Sequence, residues 1–248
     1  MTATFTGATA LVTGGNSGIG RATAVALAGL GTHVVLTGRD SGRGQEVVEA
    51  IRASGGTADF IAASLTDEAS ARALARQAVE LGGQVDILVN NAGVFPFGPT
   101  DEATEADFDS VYAVNVKVPF FLVAELAPAM AKRGKGAIIN VTTMVAEFGQ
   151  ANMALYGSSK AALVLLTKSW AAEYGPSGVR VNTVAPGPTR TERFDESDDH
   201  IARLLGRIPS RRMSTIAEIA AAVVFLASDD AANIHGATLS VDGGLAAV

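Results

Sequence analysis

The 248-residue chain contains no cysteine. That excludes disulfides, thiolate metal sites and thiol catalysis, and it leaves the redox compartment open. The three histidines, His33, His200 and His235, are scattered without metal-ligand spacing, so no metal site is expected. Positive charge is short, with 19 Lys and Arg against 25 Asp and Glu and a net charge of -6. This balance argues against non-specific attraction to nucleic acid or to anionic membranes. Nowhere do about eighteen apolar residues run uninterrupted, so no membrane span is expected. The opening MTATFTGATALVTGG lacks the basic segment and apolar core of a signal peptide. No linker, low-complexity tract or repeat divides the chain. The expectation is a cytoplasmic protein, with residues 1–248 forming one domain around a full core.

What is present is a regular alternation. TALVT (9–13), THVVLTG (32–38), ADFIAA (58–63), DILVN (86–90), AIINVT (137–142), VRVNTVA (179–185) and ATLSVDG (237–243) read as strands. Most are apolar on both faces, as in a parallel sheet covered by helices on both sides. The longer segments between them carry apolar residues at helical spacing, and several end on glycine, which caps a helix at little steric cost. The pattern predicts an α/β fold, a three-layer doubly wound parallel sheet of the Rossmann type with about seven strands. Residues 187–213, GPTRTERFDESDDHIARLLGRIPSRRM, break the alternation. They are polar, charged and long for a connection, so they read as a substrate-binding loop or lid, with IARLL a short helix turning its apolar side to a pocket.

The stretch ALVTGGNSGIGRATA (10–24) reads as a strand, a glycine turn and a helix. Gly14, Gly18 and Gly20 permit a tight turn and close backbone approach, while the helix start directs free N–H groups at a phosphate. Glycines also mark ordinary turns; the flanking strand and helix favour dinucleotide binding. TGGNSGIG (13–20), NNAG (90–93), VNVK (114–117), YGSSK (156–160), APGPTRT (185–191) and VDGG (241–244) together resemble, in order and spacing, the short-chain dehydrogenase/reductase superfamily. The resemblance spans Ala8 to Gly244. It implies an oxidoreductase that interconverts a ketone and a secondary alcohol, with hydride passing to or from nicotinamide C4.

For the cofactor, the resemblance implies contacts from Gly14, Asn16, Ser17, Gly18, Ile19 and Gly20 in the turn and from Ser64 and Leu65 after the third strand. It adds Asn91, Ala92 and Gly93 after the fourth, and Pro186, Gly187, Thr189 and Thr191 around the nicotinamide end. Ser64 stands where the family usually has an aspartate, and it accepts hydrogen bonds without charge assistance. Asn90 reads as a stabiliser of its turn at least as readily as a catalytic group. The second strand ends VVLTGRDSGRG, so the slot of the ribose-binding carboxylate falls on Gly38, followed by Arg39. Glycine leaves room for a 2′-phosphate and a guanidinium pairs with it, with Arg43 as a second contact. The alternative is that Arg39 is a solvated loop charge, and Ser17 lacks the basic residue common in NADP-using relatives. NADP(H) is favoured over NAD(H).

Tyr156 and Lys160 are four apart and share a helix face. A nearby ammonium, with the positive nicotinamide ring, would favour phenolate and bring the tyrosine toward working pH. The resemblance implies Tyr156 as general acid/base, Lys160 as its partner and ribose ligand, Asn115 as holder of a linking water, and Thr143 in place of the family's serine. Threonine keeps the hydroxyl but restricts χ1, so the rotamer decides whether the oxygen faces the substrate. Val94, Phe95, Phe148, Gln150, Met153, Phe194 and Ile201 are candidate walls for a mostly apolar small-molecule substrate. Lys132, Arg133 and Lys135 offer docking for a carrier-protein-bound 3-oxoacyl thioester, though helix C-termini collect such residues anyway. Apolar helices at 108–132 and 155–175 fit a homotetramer. The rivals are a carrier-dependent reductase, a lyase or epimerase on this fold, and a catalytically weak dinucleotide-binding sensor or scaffold.

Overall fold

The computed structural model describes residues 4–192 and 205–248. All seven apolar runs form strands: β1 (Thr9–Thr13), β2 (His33–Gly38), β3 (Thr57–Ala62), β4 (Ile87–Asn90), β5 (Gly136–Val141), β6 (Val179–Pro186) and, numbered after the two short strands below, β9 (Thr238–Val241). They pair, each parallel to its neighbours, in the order β3-β2-β1-β4-β5-β6-β9. Helices α1 (Gly18–Ala28), α2 (Ser41–Ala53), α3 (Glu68–Gly82), α4 (Glu105–Tyr112), α5 (Val118–Arg133), α6 (Ala154–Tyr174) and α7 (Ile216–Ala227) fill the connections.

Because side chains alternate along a strand, each strand feeds two cores. In β1 and β2, Ala10, Val12, Val34 and Leu36 pack with Leu27 of α1, Val47 of α2 and Ile219 of α7. Leu11 and Val35 face the other way, into a core with Leu74 of α3, Leu122 of α5 and Leu163 of α6. Burial on both faces is why these strands read as continuous apolar runs.

Two features were not expected. The stretch Glu105–Arg133 is not one uniform helix. A π turn at Ala113–Lys117 joins α4 to α5, with the Val118 N–H reaching back to the Ala113 carbonyl. By length and composition this stretch could cross a membrane, but here it is a core helix with Val118, Leu122, Leu126 and Met130 against the sheet. The second feature lies at the base of the 187–213 loop. Thr189–Arg190 (β7) and Ser214–Thr215 (β8) form a small parallel bridge, and Ile208 and Met213 between them are buried. Phe194, Ile201 and most of IARLL lie outside the described residues.

Candidate active site

The strand order reverses between β1 and β4, and doubly wound sheets bind ligands in the crevice outside the strand ends at such a point. The glycine turn follows β1 there. Gly14 and Gly18 have φ of 64° and 50°, in the region that favours glycine. A Cβ on Gly20 would run into the Gly14 carbonyl and lie 2.5 Å from Asn91 Nδ2. Ser17 precedes α1 without capping it, and the first turn of α1 carries no acid, so its N–H groups are available to an anion. The turn therefore fits a dinucleotide's phosphates. Asn91 braces it: Nδ2 donates to the carbonyls of Thr13 at 2.9 Å and Gly14 at 3.3 Å, while Thr13 Oγ1 accepts from the N–H groups of Asn91 and Ala92. Ile19 and Asn16 are partly buried in the same turn.

At the other candidate cofactor positions the outcome is mixed. Arg39 is exposed and has no ion pair or hydrogen bond among the described residues. Arg43, expected beside it, instead has its Nε 3.6 Å from Asp40. Ser64 is exposed after β3, whereas the Leu65 side chain is committed to the core, leaving only its backbone for a ligand. After β6, Pro186 is buried, Thr189 Oγ1 donates to the Gly187 carbonyl at 2.9 Å, and the Thr191 methyl lies 3.9 Å from where a Gly18 Cβ would stand. Asn90 turns away from the crevice, donating to Asn140 Oδ1, which belongs to a buried chain continuing to Thr167.

The four reacting candidates converge. The Thr143 hydroxyl lies close enough to the Tyr156 phenol to oppose the burial-driven rise in its pKa, and it accepts from the Val145 N–H at 3.4 Å. Lys160 is buried and donates from Nζ to the Val141 carbonyl at 3.0 Å, with Nζ 6.0 Å from the Tyr156 ring centre. The Gly93 backbone runs over both Lys160 and Asn115: a Cβ there would lie 3.2 Å from Nζ and 3.3 Å from Asn115 Oδ1. The π turn aims the fully buried Asn115 inward. Its carboxamide exchanges hydrogen bonds with the Val94 N–H and carbonyl, and donates to Ser159 Oγ at 3.0 Å.

Burial governs the charges. It pushes Tyr156 up to about 12, opposed by the nearby Thr143 hydroxyl, and pushes Lys160 down to about 8. In the protein alone, burial therefore dominates the Tyr156 pKa; the expectation also drew on the positive ring of the bound nicotinamide.

Around Tyr156, Met144, Val145, Met153, Ile208 and Leu245 form an apolar cluster, with Phe148 and Leu205 packed against it. Phe95 stands edge-on to the Tyr156 ring, 4.7 Å between centres, and is 57% exposed. A pocket of about 350 Å³ is lined by Phe148, Gln150 and Met153 among others. Val94 is bonded through its backbone to Asn115 and does not line this pocket. Sequence reasoning missed Met144, Val145, Leu205, Ile208, Leu245 and Ser159. Only Ser159 carried a local signal, inside YGSSK.

A family model described as enoyl-(acyl carrier protein) reductase matches residues 14–246. The chain belongs to the short-chain dehydrogenase/reductase superfamily of oxidoreductases. It is 39% identical to an uncharacterized oxidoreductase of Thermotoga maritima, over 98% of this chain and 99% of the relative. It is 37% identical to the 3-oxoacyl-[acyl-carrier-protein] reductase FabG of Escherichia coli, over 97% and 98%. A solved structure from Beutenbergia cavernae, described as a candidate NAD(P)-dependent gluconate 5-dehydrogenase with NADP bound at low occupancy, superposes with a TM-score of 0.94. It is 38% identical, and the match covers 99% of both chains.

Proposed function

We propose that this superfamily member is an NADP(H)-dependent carbonyl reductase or alcohol dehydrogenase acting on a small, mostly apolar ketone or secondary alcohol, with Tyr156 as general acid/base. The observation that carries the reading is the meeting of Tyr156, the Thr143 hydroxyl and buried Lys160 beside a glycine turn fitted to phosphate. The glycine turn and α1 would hold the pyrophosphate, the loop at Asn91–Gly93 and the strand end at Pro186–Thr191 the nicotinamide half, Ser64 the adenine, and Arg39 the 2′-phosphate. The nicotinamide supplies or accepts the hydride when bound.

This chain's own part is to place and move a proton. In reduction, Tyr156 Oη gives its proton to the carbonyl oxygen as the carbon gains hydride; in oxidation it takes the alcohol proton back. Thr143 donates to the same oxygen, stabilising its developing charge. Lys160 holds the ribose and biases the phenol. Asn115 keeps the ammonium's surroundings polar through the Val94 loop and Ser159.

A carrier-bound 3-oxoacyl substrate is the second reading, favoured by what the E. coli relative acts on. Two of its three candidate docking cations are otherwise engaged: Arg133 donates to the Val85 carbonyl at 2.7 Å, and Lys135 pairs with Asp229 at 3.1 Å. A non-catalytic sensor is disfavoured by the complete set of reacting groups. We also propose one domain, an intracellular location and a homotetramer. Exposed Phe108, Phe120 and Leu165 on α4, α5 and α6 supply the apolar faces such an assembly needs.

The test is NADPH oxidation against a panel of ketones and 3-oxoesters with wild type, Thr143→Ser and Thr143→Val. Wild type and the serine variant should turn over comparably, and valine should lose about 10²- to 10³-fold. Turnover by the serine variant alone, with wild type binding NADPH, would replace the reductase reading with the sensor.

A further inference from the structure

On the face of the sheet that packs against α6, three neighbouring strands end their apolar runs at one level with a polar residue. Leu88, Ile138 and Val181 lie in the core shared with Leu163 of α6, and two residues further along come Asn90, Asn140 and Thr183. Asn90 pairs in register with Asn140, and Asn140 with Thr183. All three are buried, and so is Thr167, the α6 residue that meets them. Asn140 Oδ1 accepts from Asn90 Nδ2 at 2.8 Å, and Asn140 Nδ2 donates to Thr167 Oγ1 at 2.7 Å. Thr167 Oγ1 also accepts from Thr183 Oγ1 at 3.0 Å and gives its own proton to the Leu163 carbonyl at 2.9 Å. Its donor and both of its acceptor sites are therefore used. A threonine that only bonded back to its own helix would need none of the sheet contacts.

This polar rung lies where helix and strand must agree. Thr167 is seven residues after Lys160, so it shares that residue's face of α6, with Leu163 between them. Asn140 directly precedes Val141, whose carbonyl accepts from Lys160 Nζ, and it stands three residues before Thr143. The rest of this face packs through Leu163, Trp170 and Ala171, and apolar contact is non-directional. Such contact holds α6 to the sheet without fixing its height or rotation. The bond from Asn140 does fix them, because sliding the helix would strand an amide donor in the core. We propose that Thr167 is a positioning residue for proton transfer: through Asn140 it locks α6 in register on β5, and so holds Tyr156 and Lys160 against Val141 and Thr143. This rests on Tyr156 as the acid/base proposed above.

The test compares Thr167→Val, which keeps the shape and removes the hydroxyl, with Thr167→Ser, which keeps the hydroxyl. Thr183→Val is the control, since it deletes the bond to β6 and leaves the link to β5. With NADPH and a ketone that wild type reduces, Thr167→Val should lose about 10- to 100-fold in kcat, the scale of a displacement of about 1 Å, with KM for NADPH within about threefold. Thr167→Ser should stay within about threefold of wild type. Thr183→Val should melt lower by about 2–8 °C, as Thr167→Val does, yet keep kcat within about threefold. Should Thr167→Val not fold, Thr167→Ala takes its place, since it removes the hydroxyl without setting a methyl against Asn140. Equal kcat losses in the two valine variants, no loss in either, or an equal loss in Thr167→Ser would overturn the inference. Full turnover by Tyr156→Phe, or none by wild type, would instead overturn the reading on which it rests.

Discussion

Each end of the sheet has a crevice with a buried cation, and the two cations are treated in opposite ways. At the N-terminal strand ends, a crevice of about 560 Å³ is lined by Phe5, Asp86, Lys135, Arg180, Asp229 and His235, among others. It is larger than the pocket beside Tyr156. Yet its charges are answered from within. Arg180 donates to four carbonyls at the end of α7, including those of Ala227 at 2.9 Å and Ser228 at 3.0 Å. Asp86 accepts from the Thr9 N–H and from Gln84, each at 2.9 Å. At the C-terminal ends, Lys160 has three donors and, among the described residues, one protein acceptor, the Val141 carbonyl, with no carboxylate offsetting its burial. Cavity volume does not distinguish a site from a seam; polar capacity left unanswered does.

That contrast can be broken at either end, and the largest effect should come from the C-terminal one. Tyr156→Phe is expected to lower turnover by about 10²- to 10⁴-fold while dinucleotide affinity is kept. Full turnover in this variant would remove the catalytic half of the comparison. At the opposite end, Arg180→Met leaves the carbonyls closing α7 without a donor. It should destabilise the fold by about 3 kcal/mol in urea unfolding, with KM unchanged; a change in KM would mean the two ends are coupled.

Lys160→Met sharpens the comparison through pH. The folded-state pKa of Lys160 lies near 8, below its ordinary 10.5, so the unfolded chain holds more protons between those values and stability rises with pH across that window. Wild type should gain about 2 kcal/mol between roughly pH 7 and pH 10, measured without added dinucleotide. Lys160→Met should show no such rise. Tyr156, raised to about 12 from 10.0, works in the opposite direction only above pH 10, where the unfolded chain loses its proton first. The smallest effect belongs to Lys135→Ala. Its pair with Asp229 is exposed on both sides, so the loss should stay under about 0.5 kcal/mol.

What was legible in the sequence followed from period and local chemistry. Strands buried on both faces announce themselves as apolar runs, and β1 was read to its exact ends. The glycine turn and the Tyr156–Lys160 spacing are short-range patterns that backbone geometry enforces. The π turn was not legible, because Ala113–Lys117 has no composition that separates it from ordinary helix. Nor was the β7–β8 bridge, since two-residue strands have no period to detect. Ile208 and Leu245 reach the Tyr156 cluster only through tertiary folding, about which local pattern is silent. Nor was the Arg43–Asp40 pair legible: Asp40 caps α2 three residues away and lies 3.6 Å from the Arg43 guanidinium. Whether Thr143 faces Tyr156 required a rotamer, which sequence does not specify.

Considered as chain length, the π turn is an insertion, one residue beyond what a uniform α-helix would use between the same end points. Removing one residue of the turn other than Asn115 would let it close into uniform α-helix with α4 and α5 keeping their places, because the same end points are spanned with one residue fewer. Asn115 would lose the offset that carries its carboxamide to the Val94 loop. Phe108 and Tyr112, stacked 4.5 Å apart on α4, would stay on their face. The extra residue thus serves the inward asparagine alone, and a deletion within the turn separates it from the outward aromatic pair.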